Sequence, residues 1–84
     1  MTIRLRYFAS IREAVGLGSE TLDPGPATTV GQVRDQLIAR GGAWAQSLAR
    51  TRPVRAALNQ SLCAEDAVFD DDAEIAFFPP VTGG

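Results

Sequence analysis

Eighty-four residues leave room for one domain, and a chain of this size buries only about 60–65% of its unfolded surface, so its core must be small and closely patterned. Apolar residues make up 45% and charged residues 21%, which excludes disorder, while a net charge of −2 offers no electrostatic footprint for nucleic acid. With no His, no Lys and a single Cys, the chain lacks the usual neutral-pH base, a Ser–His or Cys–His pair, a common metal-ligand set and an internal disulfide. A self-contained hydrolase or a metal site is therefore not expected. Met1 to Arg6 contains no apolar leader, and no apolar run approaches the ~20 residues of a membrane span, so a cytoplasmic protein without membrane contact is the expectation.

Residues 2–8 alternate with period two, placing Ile3, Leu5 and Tyr7 on one face and Thr2, Arg4 and Arg6 on the other, as in a half-buried strand. Phe8 is in phase with the polar face. Ser10 and Glu13 have the spacing of a capping box for a short helix that Gly16 would end, and Ser19 to Leu22 suits a strand returning along the first. Pro24-Gly25-Pro26 breaks the chain. Thr29 and Gln32 form a second capping box, with Val30, Val33, Leu37 and Ile38 on one stripe and Gly41-Gly42 as the stop, so the main helix should cover a sheet. Gly31 in its first turn is a poor helix former, for which a close approach to a neighbouring strand is one reason.

Trp44 and Leu48, four apart, suit one or two further helical turns over 43–49. Val54 to Leu58 reads as a strand, Asn59-Gln60 as a turn, and the segment after it carries Leu62 and Cys63, the latter a small apolar filler. Asp70 to Asp72 makes another turn, and Glu65, Asp66 and Glu74 join them in an acidic shoulder expected beside the C-terminal tail. Glu74 to Phe78 is the closing strand, with Ile75 and Phe77 inward and Phe78 outward with Glu74 and Ala76. One α+β domain over residues 1–78, a sheet with one main helix across a single face, follows from this order. If the first and last strands are central neighbours, Phe8 and Phe78 share the uncovered face as an apolar docking patch.

Beyond Phe78 the chain reads as a stiff, slim extension over residues 79–84. Pro79 and Pro80 fix φ and cannot donate to a ladder, so pairing should stop there, and Val81, Thr82, Gly83 and Gly84 end in an unhindered carboxylate. Its reach is roughly 20 Å when extended, enough to enter a partner's cleft.

Three blocks, Tyr7-Phe8-Ala9-Ser10-Ile11-Arg12-Glu13, Ala57-Leu58-Asn59-Gln60 and Phe77-Phe78-Pro79-Pro80-Val81-Thr82-Gly83-Gly84, together resemble the small, sulfur-carrier subunit of molybdopterin synthase. The resemblance spans essentially the whole chain. It implies a ubiquitin-like β-grasp fold with a mixed sheet and a flexible tail. It also implies a role for Gly84: a ubiquitin-activating-type adenylyltransferase uses ATP to adenylate its carboxylate, and sulfur replaces the AMP. The thiocarboxylate then donates sulfur to cyclic pyranopterin monophosphate inside the large subunit of a heterotetrameric synthase. Phe8, Leu62 and Phe78 match family positions that form the apolar contact with partners.

The residue types fit such a scheme. A carboxylate accepts a sulfur nucleophile only once its oxygen has become a good leaving group, and the groups that bind ATP must come from the partner, since no phosphate-binding glycine loop is present. No cofactor is expected to be resident. The competing readings are a carrier for thiamine or cysteine synthesis, a ubiquitin-like modifier of protein amines, and a plain interaction module.

Overall fold

In the computed structural model, which describes residues 1–80, the alternation at the start of the chain folds as a strand. Strand β1 (Ile3–Tyr7) buries Ile3, Leu5 and Tyr7 and exposes Arg4 and Arg6. Helix α1 (Ala9–Val15) follows without a break and buries Ile11 and Val15.

The capping box expected at Ser10 does not form. Phe8 is the N-cap, with no side-chain cap bond, because its amide donates to the Phe77 carbonyl (3.2 Å) and holds it extended one step past β1. The chain must turn at once: Ala9 takes φ 52°, Ser10 already lies within the helix, and the Ile11 and Arg12 amides bond back to the Phe8 carbonyl. A non-glycine residue in that region costs about 1–2 kcal/mol. Gly16 ends α1 at φ 82°, as its position suggests.

β2 (Ser19–Leu22) runs antiparallel to β1, pairing Ile3 with Leu22 and Leu5 with Glu20. The best-signalled helix, α2 (Val30–Ile38), forms as the sequence predicts. Thr29 accepts from the Gln32 amide while the Gln32 side chain accepts from the Thr29 amide, an arrangement that satisfies two otherwise orphaned donors. Val30, Val33 and Leu37 are fully buried, each worth about 1.5–3 kcal/mol of removed apolar surface. α3 is only Gly42–Ser47, shorter than the expected segment, and Leu48 just beyond it is buried while Trp44 packs at the margin of the core.

β3 (Arg55–Leu58) and β4 (Ser61–Cys63) form an antiparallel hairpin across Asn59 and Gln60, both at positive φ (51° and 70°) as a two-residue turn of this twist demands. β5 (Glu74–Phe78) pairs parallel with β1 and antiparallel with β3, so the sheet order is β2-β1-β5-β3-β4 and the first and last strands are central neighbours. The core lies between one face of this sheet and the helices, and it includes Ile3, Leu5, Tyr7, Ile11, Leu37, Leu48, Ile75 and Phe77.

Two expectations about position change. Gly31 closely approaches a loop rather than a strand: an added Cβ would sit 3.2 Å from the Glu65 carbonyl oxygen and 3.1 Å from its Cβ, and the Gly31 amide donates to that carbonyl at 2.8 Å. The acidic turn is not beside Pro79, where the tail begins. Asp70 to Asp72 precede β5 and Pro79 follows it, so the length of the strand separates them, and Glu65 is held against α2 by arginines.

Candidate functional site: the open face of the sheet

Opposed residues on neighbouring strands share a face, and the register therefore maps the side of the sheet that no helix covers. One row across it is Arg6, Ala76, Ala57 and Leu62; the next pairs Phe78 with Arg55; on the other side Arg4 faces Glu74. Phe8 lies one step past the Tyr7–Phe77 pair, 40% exposed, with its ring centroid 5.4 Å from the Arg6 guanidinium carbon. Leu62 is 66% exposed on the edge strand and Phe78 is half-buried. The structure thus brings Phe8, Leu62 and Phe78 onto one surface.

Ala76 and Ala57 sit on this open face and are nonetheless buried, at 7% and 9% exposure. Longer neighbours in the same and the next row, Arg6, Leu62, Phe78 and Arg55, surround these two small side chains. From β1 to β4 the row spans about 14 Å, three strand spacings.

β5 runs from this face directly into the tail. Ladder pairing stops at Phe78, and Pro79 and Pro80 are half-buried. Pro79 lines a recess of about 260 Å³ with Ile11 and Ala14 of α1 and with Pro53 and Val54. Val81, Thr82, Gly83 and Gly84, expected to complete the slender tail, lie outside the described residues.

The helical side closes itself with charge. Glu20 accepts two bonds from Arg40, both 2.8 Å, and one from the Tyr7 hydroxyl at 2.8 Å, while the Trp44 indole donates to that hydroxyl at 3.3 Å. Arg40 first of all, and Tyr7 after it, hold the Glu20 carboxyl below its usual range against the opposing effect of burial. Burial pushes the Tyr7 phenol well above its ordinary value, so it remains a neutral donor. A second cluster centres on Arg34, 4% exposed, which donates to the carbonyls of Leu48 and Ala49 and pairs with Glu65 at 2.6 Å. Arg50 bridges Glu65 and Asp35 and also donates to the Gly31 carbonyl at 3.0 Å. Asn59 has a second role beyond its turn: its side chain accepts from the Glu74 amide at 2.9 Å and its own amide donates to the Glu74 carbonyl, tying the hairpin to β5.

Cys63 belongs to none of this chemistry. It pairs with Ala56 on the core face, and burial, aided by Asp66, pushes its thiol up and away from the reactive thiolate form. Among the described residues no group of three His, Cys, Asp or Glu side chains is placed to hold a metal, and no helix is long and apolar enough to cross a membrane.

A mixed five-stranded sheet with a parallel central pair, helices on one side and an open face on the other defines a ubiquitin-like β-grasp protein of α+β class. SAMP1 from Haloferax volcanii has this fold, with a TM-score of 0.78 over the whole of both chains at 24% identity. So does the complex of subunits 1 and 2 of molybdopterin-converting factor from Helicobacter pylori, in which the matched chain gives 0.68 over the whole of both chains at 22%. In sequence, the molybdopterin synthase sulfur carrier subunit of Escherichia coli K12 is 38% identical over 82 residues, 98% of this chain and 99% of that one. The ThiS family profile matches residues 5–84. The chain belongs to the ThiS family.

Proposed function

We propose that this protein is the sulfur carrier of molybdopterin synthesis, working as the small subunit of molybdopterin synthase. The observation that carries the reading is the 38% identity, end to end, with the E. coli molybdopterin synthase sulfur carrier subunit. The Helicobacter pylori complex joins two subunits of molybdopterin-converting factor, and the matched chain is the one with this fold; that supports a large-subunit partner here. On this reading Phe8, Leu62 and Phe78 dock the sheet's open face on the partner, while Pro79 to Gly83 carry Gly84 into its active site.

The chemistry follows from what an unhindered terminal carboxylate can do. A ubiquitin-activating-type adenylyltransferase joins the Gly84 carboxylate to the AMP part of ATP and releases pyrophosphate. A sulfur nucleophile then forms the C–S bond as the C–O bond to AMP breaks, leaving a thiocarboxylate. In the large subunit that sulfur passes to cyclic pyranopterin monophosphate, water attacks the acyl carbon as the C–S bond breaks, and the tail returns as a carboxylate. The carrier holds no cofactor of its own, and its only thiol is unsuited to the sulfur step.

Reconstitution tests the pathway. Thiocarboxylated chain, mixed with the large subunit and the pyranopterin precursor, should yield molybdopterin, and the chain lacking Gly84 should yield none while melting at an unchanged temperature. Phe78→Arg should weaken large-subunit binding without unfolding the domain. Absence of product from a verified thiocarboxylate would remove this reading, and covalent attachment of Gly84 to protein amines would replace it with that of a modifier.

A further inference from the structure

The arginines of the two sides of the sheet are treated differently. Three in the helical layer meet carboxylates closely: Arg34 with Glu65 at 2.6 Å, Arg40 with Glu20 at 2.8 Å and Arg50 with Asp35 at 2.7 Å. On the open face, Arg6 reaches Glu74 only at 3.9 Å, Arg4 bonds a backbone carbonyl of Asp72 at 3.3 Å, and Arg55 makes no ion pair among the described residues. The strands present three guanidinium groups there against the one carboxylate of Glu74, although the whole chain carries a net charge of −2.

Two of these cations flank the apolar residues of that face. Arg6 stands at the β1 end of the Arg6-Ala76-Ala57-Leu62 row, and Arg55 lies beside Phe78 in the next row. We infer that Arg6 and Arg55 are specificity-determining contacts: the open face accepts a protein surface that lays apolar side chains against Phe8, Leu62 and Phe78 and carries carboxylates opposite the two arginines. The inference rests on the proposed docking of the large subunit and gives that partner's contact surface a stated chemistry.

Charge argues for this occupant over a second copy of the chain. Two open faces set together would oppose guanidinium groups to guanidinium groups, and like charges brought together at an interface cost several kcal/mol. Carboxylates on a partner instead relieve the imbalance, speed encounter and fix register, and partly exposed pairs of this kind respond to salt.

Binding of the intact chain to its purified large subunit, measured by interferometry at low and high salt, is the test. Arg6→Glu with Arg55→Glu should weaken Kd roughly 30-fold or more, chiefly through slower association, and should flatten or invert the salt dependence. Arg6→Gln with Arg55→Gln should cost about three- to tenfold and keep the melting temperature, which separates charge from folding. If the wild type binds and the charge-reversed chain binds equally, with no effect of salt, the inference is overturned and the carrier function stands. Should the wild type fail to bind the large subunit at all, both fall. A charge reversal that instead changes self-association in sedimentation overturns the inference in favour of contact between copies.

Discussion

The two faces of the sheet are built to opposite ends. On the helical side, Tyr7, Leu5, Ile75 and Phe77 are buried under a layer that also supplies its own counter-ions, Arg40 for Glu20 and Arg34 with Arg50 for Glu65. The other side leaves Phe8, Leu62 and its arginines facing outward around two buried alanines. A domain this small has one helical layer, and among the described residues the second face of the sheet has none. On the proposed docking, stability and partner binding separate across the thickness of one sheet, and neighbouring residues of β5 should behave differently when changed.

The sharpest contrast is between Phe77 and Phe78. Phe77→Ala empties a fully buried site and should cost about 3–5 kcal/mol in denaturant unfolding, a large share of the stability of a small domain. Phe78→Ala should cost under about 1.5 kcal/mol in the same measurement, while losing most of the affinity for the partner. Equal losses of stability would erase the distinction between the faces.

Arg34→Ala comes next, at about 1–3 kcal/mol, because it strips donors from the buried carbonyl of Leu48 and the partly buried one of Ala49 and leaves Glu65 short of a partner. Partner affinity should be untouched. Thr29→Ala, which removes half of the α2 capping box, should lower stability by about 1 kcal/mol by the same assay.

The smallest effect expected is a pH dependence confined to the helical side. Glu20 has a lowered value in the folded state, so its contribution is present above the unfolded value of about 4.3 and disappears as pH falls from there through the folded value. Melting temperatures taken from neutral pH to about pH 3 should decline more steeply for the wild type than for Glu20→Gln over that acid range. For Glu65, burial is the largest single influence and acts upward, but Arg50 and Arg34 together still leave it lowered, so it adds to the same acid-side loss.

Much of this arrangement is legible in the sequence where the signal is local. The period-two run of 3–7, the Thr29–Gln32 box, Gly16 after α1 and the Asn59-Gln60 turn each follow from neighbouring residues, and the three sequence blocks point to the family. What escapes is long-range. Nothing near Arg34 in the chain announces Glu65, 31 residues on, or the carbonyls of Leu48 and Ala49. Ser10 and Glu13 have correct spacing for a cap, yet the bond from Phe8 to Phe77, 69 residues distant in the chain, moves the N-cap two residues earlier, to Phe8. Phase alone places Ala76 outward but cannot show that it is sheltered, since shelter depends on Arg6 and Ala57 across the sheet. The shared face of Phe8, Leu62 and Phe78 and its flanking arginines emerge only from strand order and register.

If the fold serves to deliver Gly84, the intact mass of the chain should show it. After incubation with a ubiquitin-activating-type adenylyltransferase, ATP and a sulfur source, one oxygen should be replaced by sulfur, located by fragmentation to Gly84, with no such change when Gly84 is deleted. An unchanged mass, or sulfur found elsewhere in the chain, would contradict it.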